Sequence, residues 1–395
     1  MRTTKNNEHK KLNVPNLRFK EFQGEWEEYR IEDITVNISS GRCKSHSSNG
    51  KYNLYGSTGI IGKTDEACYE GNLVLVARVG ANAGFLQIIN EPCGITDNTL
   101  IIKPKEVDVQ YVYYFLQHFN LNRLIFGSGQ PLITGGMLKK VKVSLGTIQE
   151  QNKITRLLSV LDERITTQNK IIEDLKKLKS AIIEKVFCSP NKKNPMCRIE
   201  GFEQALSTYK MCDFSSRIAT KNKDSKCSLV LTIAAQYGLV NQESFFNKSV
   251  ASENLTGYYL LHKGEFAYNR SYSAGYDWGA VKRLDNYDEG VLSTLYICFK
   301  INETIVDSDY LAYYFESTKW HRGLSDIAGE GARNHGLLNV SITDYFNTKH
   351  RFPVIEEQKA IAKMLNTITE KERKATLLGE CYQKQKQYLL RQMFI

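Results

Sequence analysis

The sequence predicts an α+β protein: two globular mixed α/β domains separated by two long antiparallel coiled-coil helices, arranged as a pseudo-two-fold internal repeat. Three observations predict it. The chain is written twice, in ordered and mostly gapless matches. Each copy ends in a heptad-patterned stretch. At 395 residues, with 42% apolar and 24% charged side chains, there is material for two or three separate cores.

The first copy opens with "VPNLRFKEFQGEWEEYRIEDI" from Val14, the second with "NPMCRIEGFEQALSTYKMCDF" from Asn194. At an offset of 180, Pro15 meets Pro195, Arg18 meets Arg198, Phe22 meets Phe202, Tyr29 meets Tyr209 and Asp33 meets Asp213. "YVYYF" (111–115) then aligns with "LAYYF" (311–315) at 200, and "TIQEQNKITRLLSVL" from Thr147 with "VIEEQKAIAKMLNTI" from Val354 at 207. Gln151 there meets Gln358, and Phe187 meets Phe394. Shared ends around an unlike middle point to one scaffold carrying two specificities. The boundaries read as 1–146 for the first globular domain, 147–190 for the first long helix, 191–353 for the second domain and 354–395 for the last helix.

The helices follow from apolar spacing. Ile154, Leu158, Leu161, Ile165, Gln168, Ile172, Leu175, Lys179, Ile182 and Val186 alternate steps of four and three, the seam of a coiled coil. The rod spans roughly 50 Å at about 1.5 Å per residue and is expected to hold two bodies apart. The second seam, Ile361, Leu365, Ile368, Glu372, Ala375, Gly379, Tyr382, Lys386, Leu389 and Met393, is weaker. Gly379 alone costs about 1 kcal/mol of helix propensity, so this helix needs a partner. The first helix is the obvious one within the same chain; a coil between chains is the alternative.

Composition sets the remaining bounds. No apolar run approaches the 18 or so residues of a membrane span, and the polar N-terminus has no leader-like core. The nine cysteines contain no C-x2-C pair, so reduced cytoplasmic thiols are expected rather than disulfides or zinc. A net charge of +10 invites a polyanion. Its spread does not locate a face: residues 149–187 carry net +2 and 356–395 net +3.

The lobe exits, "GSGQPLITGGMLKKVKVSLGTIQEQNKI" and "GEGARNHGLLNVSITDYFNTKHRFPVIEEQKAIAKML", resemble the specificity (S) subunits of type I restriction-modification systems, a likeness covering nearly the whole chain. That family leaves each lobe by a proline-marked strand and an acidic-Gln helix start. Pro353 with Glu356-Glu357-Gln358 keeps the pattern. Ser144-Leu145-Gly146 departs from it, although Gln149-Glu150-Gln151 remains. Without the family, a proline stops the strand and glutamates suit a helix N-terminus.

The resemblance implies two target-recognition domains, each reading half of a bipartite double-stranded DNA site with an unread spacer. It implies helices that dock DNA methyltransferase subunits, two of them, which bring the restriction/translocase subunits. It implies a noncatalytic chain with no cofactor of its own, S-adenosylmethionine, ATP and magnesium belonging to the partners, in a prokaryotic cytoplasm and on the nucleoid when bound to DNA. If both lobes share one DNA face, the half-sites lie about 34 Å apart, near one helical turn.

Enzyme readings fare poorly. "YGSTGIIGKTDE" (55–66) imitates a P-loop, but G-x4-G-K-[ST] requires glycine where Ser57 stands, and a strand pattern follows instead of a helix. "LLSVLDE" (157–163) imitates a Walker B strand, yet Leu158 and Leu161 belong to the seam. Asp162 and Glu163 are therefore expected on the solvated flank. Neither a methyltransferase [ND]-P-P-[FY] nor a histidine metal spacing is present.

Base readout needs amide and guanidinium groups, and phosphate contact needs basic or hydroxyl groups. In the first lobe the candidates are Arg42, Lys44, His46, Lys51, Tyr55, Ser57, Thr58, Lys63, Arg78 and Asn82. In the second they are Gln236, Tyr237, Asn241, Lys248, Asn269, Arg270, Tyr272, Trp278, Arg333, Asn334 and His335. Arg78 and Arg270 have a structural alternative, holding loops by hydrogen bonds, and Trp278 has one in the core. Two other functions stay open: a structural adaptor whose lobes bind proteins, and a nucleotide-binding enzyme using the 56–64 glycine loop.

Overall fold

The computed structural model describes residues 12–43, 47, 49–125, 130–247, 254–271, 275–328 and 338–395. By contacts the chain forms two units, Met1–Asn169 with Leu377–Ile395, and Lys170–Thr376.

Unit 1 begins with β1 (Glu27–Arg30), β2 (Thr35–Ser40), β3 (Tyr52–Gly56) and β4 (Gly59–Thr64). It continues through β5 (Leu73–Ala77), β6 (Leu86–Ile89), β7 (Cys93–Ile95) and β8 (Thr99–Pro104). Helix α1 (Val109–Phe119), α2 (Gly135–Lys139), β9 (Lys142–Leu145) and the first long helix α3 (Ile148–Val186) follow, α3 belonging to this unit as far as Asn169. The main sheet runs β2-β8-β5-β6, beside a smaller β4-β3-β7 sheet and the β1-β9 pair. Strand β5, "LVLVA", is buried at every position, which is why it reads as an unbroken apolar run rather than an alternating one.

Unit 2 holds β10 (Ser207–Lys210), α4 (Met211–Phe214), β11 (Ser215–Arg217), β12 (Leu231–Ala234), β13 (Gly238–Asn241) and α5 (Gln242–Phe246). Then come β14 (Tyr259–His262), β15 (Phe266–Asn269), β16 (Ala280–Arg283), β17 (Glu289–Leu292) and β18 (Ile297–Ile301). Helices α6 (Ser308–Tyr314), α7 (His321–Ser325) and α8 (Ile342–Asn347), strand β19 (Lys349–Phe352) and the second long helix α9 (Ile355–Met393) follow, α9 belonging to unit 2 as far as Thr376 and to unit 1 from Leu377. Its main sheet, β11-β18-β15-β16, repeats the order of unit 1. The β10-β19 pair repeats β1-β9, with Tyr209 opposite His350 as Tyr29 is opposite Val143.

The repeated residues make repeated bonds. Arg18 grips Glu150 with two guanidinium nitrogens at 2.8 and 2.9 Å, and Arg198 grips Glu357 in the same way. Both carboxylates are buried, and a bidentate ion pair satisfies a buried charge far better than a single contact. Gln151 donates to Gly146 O at 2.9 Å and accepts from Asp108 N. Gln358 donates to Pro353 O at 2.9 Å and accepts from Asp307 N.

Asp108 and Asp307 in turn cap α1 and α6, accepting from Tyr111 N and Tyr310 N. This corrects the helix alignment. The structural offset is 199, so Tyr111 matches Tyr310, whereas the "YYF" strings align at 200. A one-residue slip turns a helix face by about 100°, and the caps fix the true register.

Each long helix ends against such a tyrosine. Phe394 lies 5.1 Å from Tyr111 in unit 1, and Phe187 lies 5.0 Å from Tyr310 in unit 2. All four rings are buried, each contributing about 1.5–3 kcal/mol by area. The segment before each first strand also straps the same helix end, through Leu17 N to Gln392 O at 2.8 Å and Cys197 N to Lys185 O at 3.0 Å.

Along α3 and α9 the seam positions are buried or half-buried, Ile154, Leu158, Leu161, Gln168, Ile361, Leu365 and Leu389 among the buried, Ile165, Ile172, Leu175, Ile182 and Ile368 half-buried, and Val186 buried. Two seam lysines pair within the chain, Lys386 with Asp162 at 2.6 Å in unit 1 and Lys179 with Glu372 at 3.1 Å in unit 2. Asp162 is therefore no solvated flank: it also accepts from Tyr114 Oη at 2.8 Å. Glu163 is exposed.

Candidate nucleic-acid interface

The stretch that imitates a P-loop folds as the β3-β4 hairpin, Tyr52 opposite Thr64 and Gly56 opposite Gly59. Lys63 lies in a strand and β5 follows, so the backbone lacks the loop-to-helix cradle that a nucleotide phosphate requires. The hairpin is braced from outside its own strands. Gln87 Nε2 donates to Gly56 O at 3.0 Å and Ser57 O at 3.2 Å. Glu91 accepts from Asn53 Nδ2 at 2.7 Å and from Tyr55 Oη at 2.6 Å, and Lys63 Nζ donates to Asn53 Oδ1 at 2.8 Å. Burial, then the Glu91 bond, pushes the Tyr55 phenol up to about 12. The bonds from Tyr55 and Asn53 lower the Glu91 carboxyl.

The tip meets the end of the main sheet. Ser57 Oγ and Arg78 N both donate to Asn98 O, at 3.3 and 2.9 Å. Ser57, Thr58, Arg78, Asn82 and Asn98 therefore gather at one edge of unit 1. Thr58, Asn82 and Asn98 are exposed, Ser57 and Arg78 half-buried. The loop after Arg78 turns through Gly80 and Gly84, with φ of 78° and 88°, a conformation glycine adopts without Cβ strain. A cleft of about 490 Å³ adjoins it, its lining including Asn82, Phe85, Gln117, Asn120 and Asn122. Arg42 and Lys51 are exposed, Lys51 lying 5.3 Å over the Tyr52 ring.

In unit 2 the corresponding hairpin is β12-β13, with Ala234 opposite Gly238. Gln236 and Tyr237 occupy its exposed tip, and Tyr276 Oη donates to Ala235 O at 3.3 Å. Other candidates there are engaged internally. Asn241 caps α5, accepting from Glu243 N at 2.9 Å and Ser244 N at 3.2 Å. Asn269 Oδ1 accepts from Ser271 N at 3.0 Å. Arg270 donates to Leu295 O and Val340 O. Trp278 is half-buried against the unit 2 core. Lys44, His46, Lys248, Tyr272, Arg333, Asn334 and His335 lie outside the described residues.

Sequence reasoning passed over Gln87, Glu91 and Asn98, which position the hairpin tip. Their partners are 30 to 41 residues away in the chain, and no local pattern announces them. It also passed over exposed apolar side chains, Ile60 and Ile61 beside the unit 1 tip, and Phe245 and Phe246 in α5, beyond the base of the unit 2 hairpin. Among the described residues no cluster of His, Cys, Asp and Glu could hold a metal ion, and no helix is long and apolar enough to cross a membrane. Cys43 Sγ lies 3.6 Å from Thr64 Oγ1, and burial pushes the Cys93 thiol up to about 11.

Residues 23–177 match the family model of the type I restriction modification DNA specificity domain. The MjaVIII type I restriction enzyme specificity subunit of Methanocaldococcus jannaschii is 25% identical over 393 residues, covering 89% of this chain and 88% of that protein. A putative type I specificity subunit of Mycoplasma pneumoniae is 30% identical over 145 residues, 35% of this chain and 38% of that one. In fold, the chain is similar to the crystal structure of the type I restriction-modification S subunit from M. genitalium, with a TM-score of 0.62 and 17% identity. That likeness covers 97% of this chain and 99% of the other. Residues 23–177 thus carry the likeness to the type I restriction modification DNA specificity domain, and the chain as a whole is similar to type I specificity subunits.

Proposed function

We propose that this chain is the noncatalytic DNA-recognition subunit of a type I restriction-modification complex. Each unit reads one half of a bipartite target with its braced hairpin tip and the adjoining sheet edge. The two long helices set the spacing across the unread segment and dock the methyltransferase subunits. S-adenosylmethionine, ATP and magnesium belong to the partner subunits.

One observation carries the reading. The two units repeat a sheet order and a hairpin, while the side chains at the hairpin tip differ, Ser57-Thr58 against Gln236-Tyr237. A repeated scaffold with unlike hydroxyl, amide and aromatic tips is what two different base sequences require. The net charge of +10 supplies the sequence-independent attraction to phosphate, and affinity should fall steeply with salt.

The test exchanges residues 40–140 for the equivalent segment of another family member. Methylated sites are then mapped in cells carrying the chimera and its methyltransferase. One half-site should change while the other and the spacer persist. Methylation of all sequences alike by the unaltered complex, or an unchanged target in the chimera, would defeat the reading.

A further inference from the structure

Arg78 and Arg270 occupy the same place in their units. Each immediately follows a central strand, β5 or β15. Each offers its carbonyl to the segment that re-enters the sheet edge: Ile133 N donates to Arg78 O at 2.8 Å, and Leu338 N to Arg270 O at 2.9 Å. Their side chains differ in employment. The Arg270 guanidinium donates through Nε and Nη2 to Leu295 O at 3.3 and 3.1 Å, and through Nη1 to Val340 O at 3.2 Å. It ties two loops to the strand end. Arg78 Nε is buried and has no hydrogen-bond partner among the described residues.

A buried donor on a permanent cation is costly without an acceptor, and such groups are ordinarily paired. Arg78 therefore stands poised for an acceptor from outside the chain. Nε is closed off from solvent, but Arg78 as a whole is half-buried, so an acceptor from outside meets the exposed part of the residue. Its backbone shares Asn98 O with Ser57 of the hairpin tip, within the cluster read above as the unit 1 interface.

We propose that Arg78 contacts the DNA target directly, while Arg270 is a positioning residue that never touches it, so the two half-sites are read by non-equivalent machinery. This rests on the DNA-recognition reading. The chemistry required is a pair of oxygen or nitrogen acceptors matched to a guanidinium fork, supplied by a guanine O6/N7 edge or by phosphate oxygens.

The experiment compares Arg78→Gln, Arg78→Lys and Arg270→Gln in the full chain assembled with its methyltransferase subunits. Binding is measured over a library of targets varied in each half-site and at several salt concentrations, and thermal unfolding is measured for each chain. Arg78→Gln should weaken binding about tenfold or more with the unfolding midpoint unchanged. Arg270→Gln should lower that midpoint.

A guanine contact would relax preference at one base pair of one half-site and would not be rescued by Arg78→Lys. A phosphate contact would weaken all targets alike, lower the salt slope by about one and be partly rescued by Arg78→Lys. Unaltered affinity and preference in Arg78→Gln, or a loss of stability matching that of Arg270→Gln, would overturn the assignment. Either can occur while the parent complex still discriminates sequences, so this inference can fail with the broader reading intact. If the parent complex binds all DNA alike, the broader reading fails first.

Discussion

The two units hold the same frame by the same bonds, and they part where a second residue compensates for a change in the first. In unit 2 the long helix follows Pro353, and Leu206 fills the position equivalent to Trp26. In unit 1 Trp26 Nε1 donates to Glu150 at 3.1 Å, a third donor to that carboxylate. A side chain at Gly146, the position of Pro353, would meet the Glu150 and Trp26 side chains at 2.4 and 2.7 Å. Glycine for proline is thus the counterpart of tryptophan for leucine, and the unit 1 exit departs from the family pattern for a steric reason. The lesson is that repeat copies diverge in coupled pairs around a constant frame.

The largest expected effect tests that third donor. Glu150→Ala and Glu357→Ala each leave an arginine without its bidentate partner, costing about 3–5 kcal/mol. Glu150→Ala also strands the buried Trp26 N–H, adding about 1–3 kcal/mol. Denaturant unfolding of the full chain, followed by amide exchange resolved to each unit, should show the greater loss for Glu150→Ala. Equal losses would mean that Trp26 adds nothing to the frame.

A second difference is a buried histidine. His350 faces Tyr314 Oη at 3.0 Å and Thr348 Oγ1 at 2.9 Å, where unit 1 has Val143. Burial pulls its pKa down from 6.5 to about 3. Between those values the unfolded chain binds a proton that the folded chain refuses. The stabilisation is full above about 6.5 and is lost as pH falls toward 3, a change on the order of a few kcal/mol. Amide exchange at pH 7, 5 and 4 should show unit 2 loosening in acid, with a flatter response in His350→Val. A pH profile unchanged by that substitution would break the comparison.

The smallest effect concerns the tyrosines under the long helices. Tyr114 Oη donates to the charged Asp162, which also binds Lys386. Its equivalent Tyr313 meets the neutral Asn366 and Thr369. Tyr114→Phe should cost about 1.5–3 kcal/mol and Tyr313→Phe about 0.5–1.5 kcal/mol, read as separate unfolding midpoints of the full chain. The reverse order would mean that the ion pair carries Asp162 without the phenol.

The repeat and the two long helices were legible because heptad spacing and matched strings are local and periodic. The two-stranded pairs β1-β9 and β10-β19 and the ion pairs Arg18–Glu150 and Arg198–Glu357 were only half legible. Their residues appear as matches, but a bond spanning 132 or 159 residues has no local signature. The candidate interface was the least legible. Asn241, Asn269 and Arg270 share a polar character with Thr58, Asn82 and Arg78, and composition does not tell a side chain that caps a helix from one that faces outward.

By itself the sequence determined that this protein is one design used twice, with a long helix closing each copy, because backbone periodicity and side-chain polarity act over a few residues. Only the tertiary structure decided which like residues are alike in role. It fixed the alignment of α1 with α6 at an offset of 199, drew Asp162 into an ion pair, and employed Arg270 while leaving Arg78 Nε without a partner among the described residues. Those outcomes depend on which carbonyls and rings the folded chain brings within hydrogen-bonding or van der Waals distance, and no linear pattern encodes that distance.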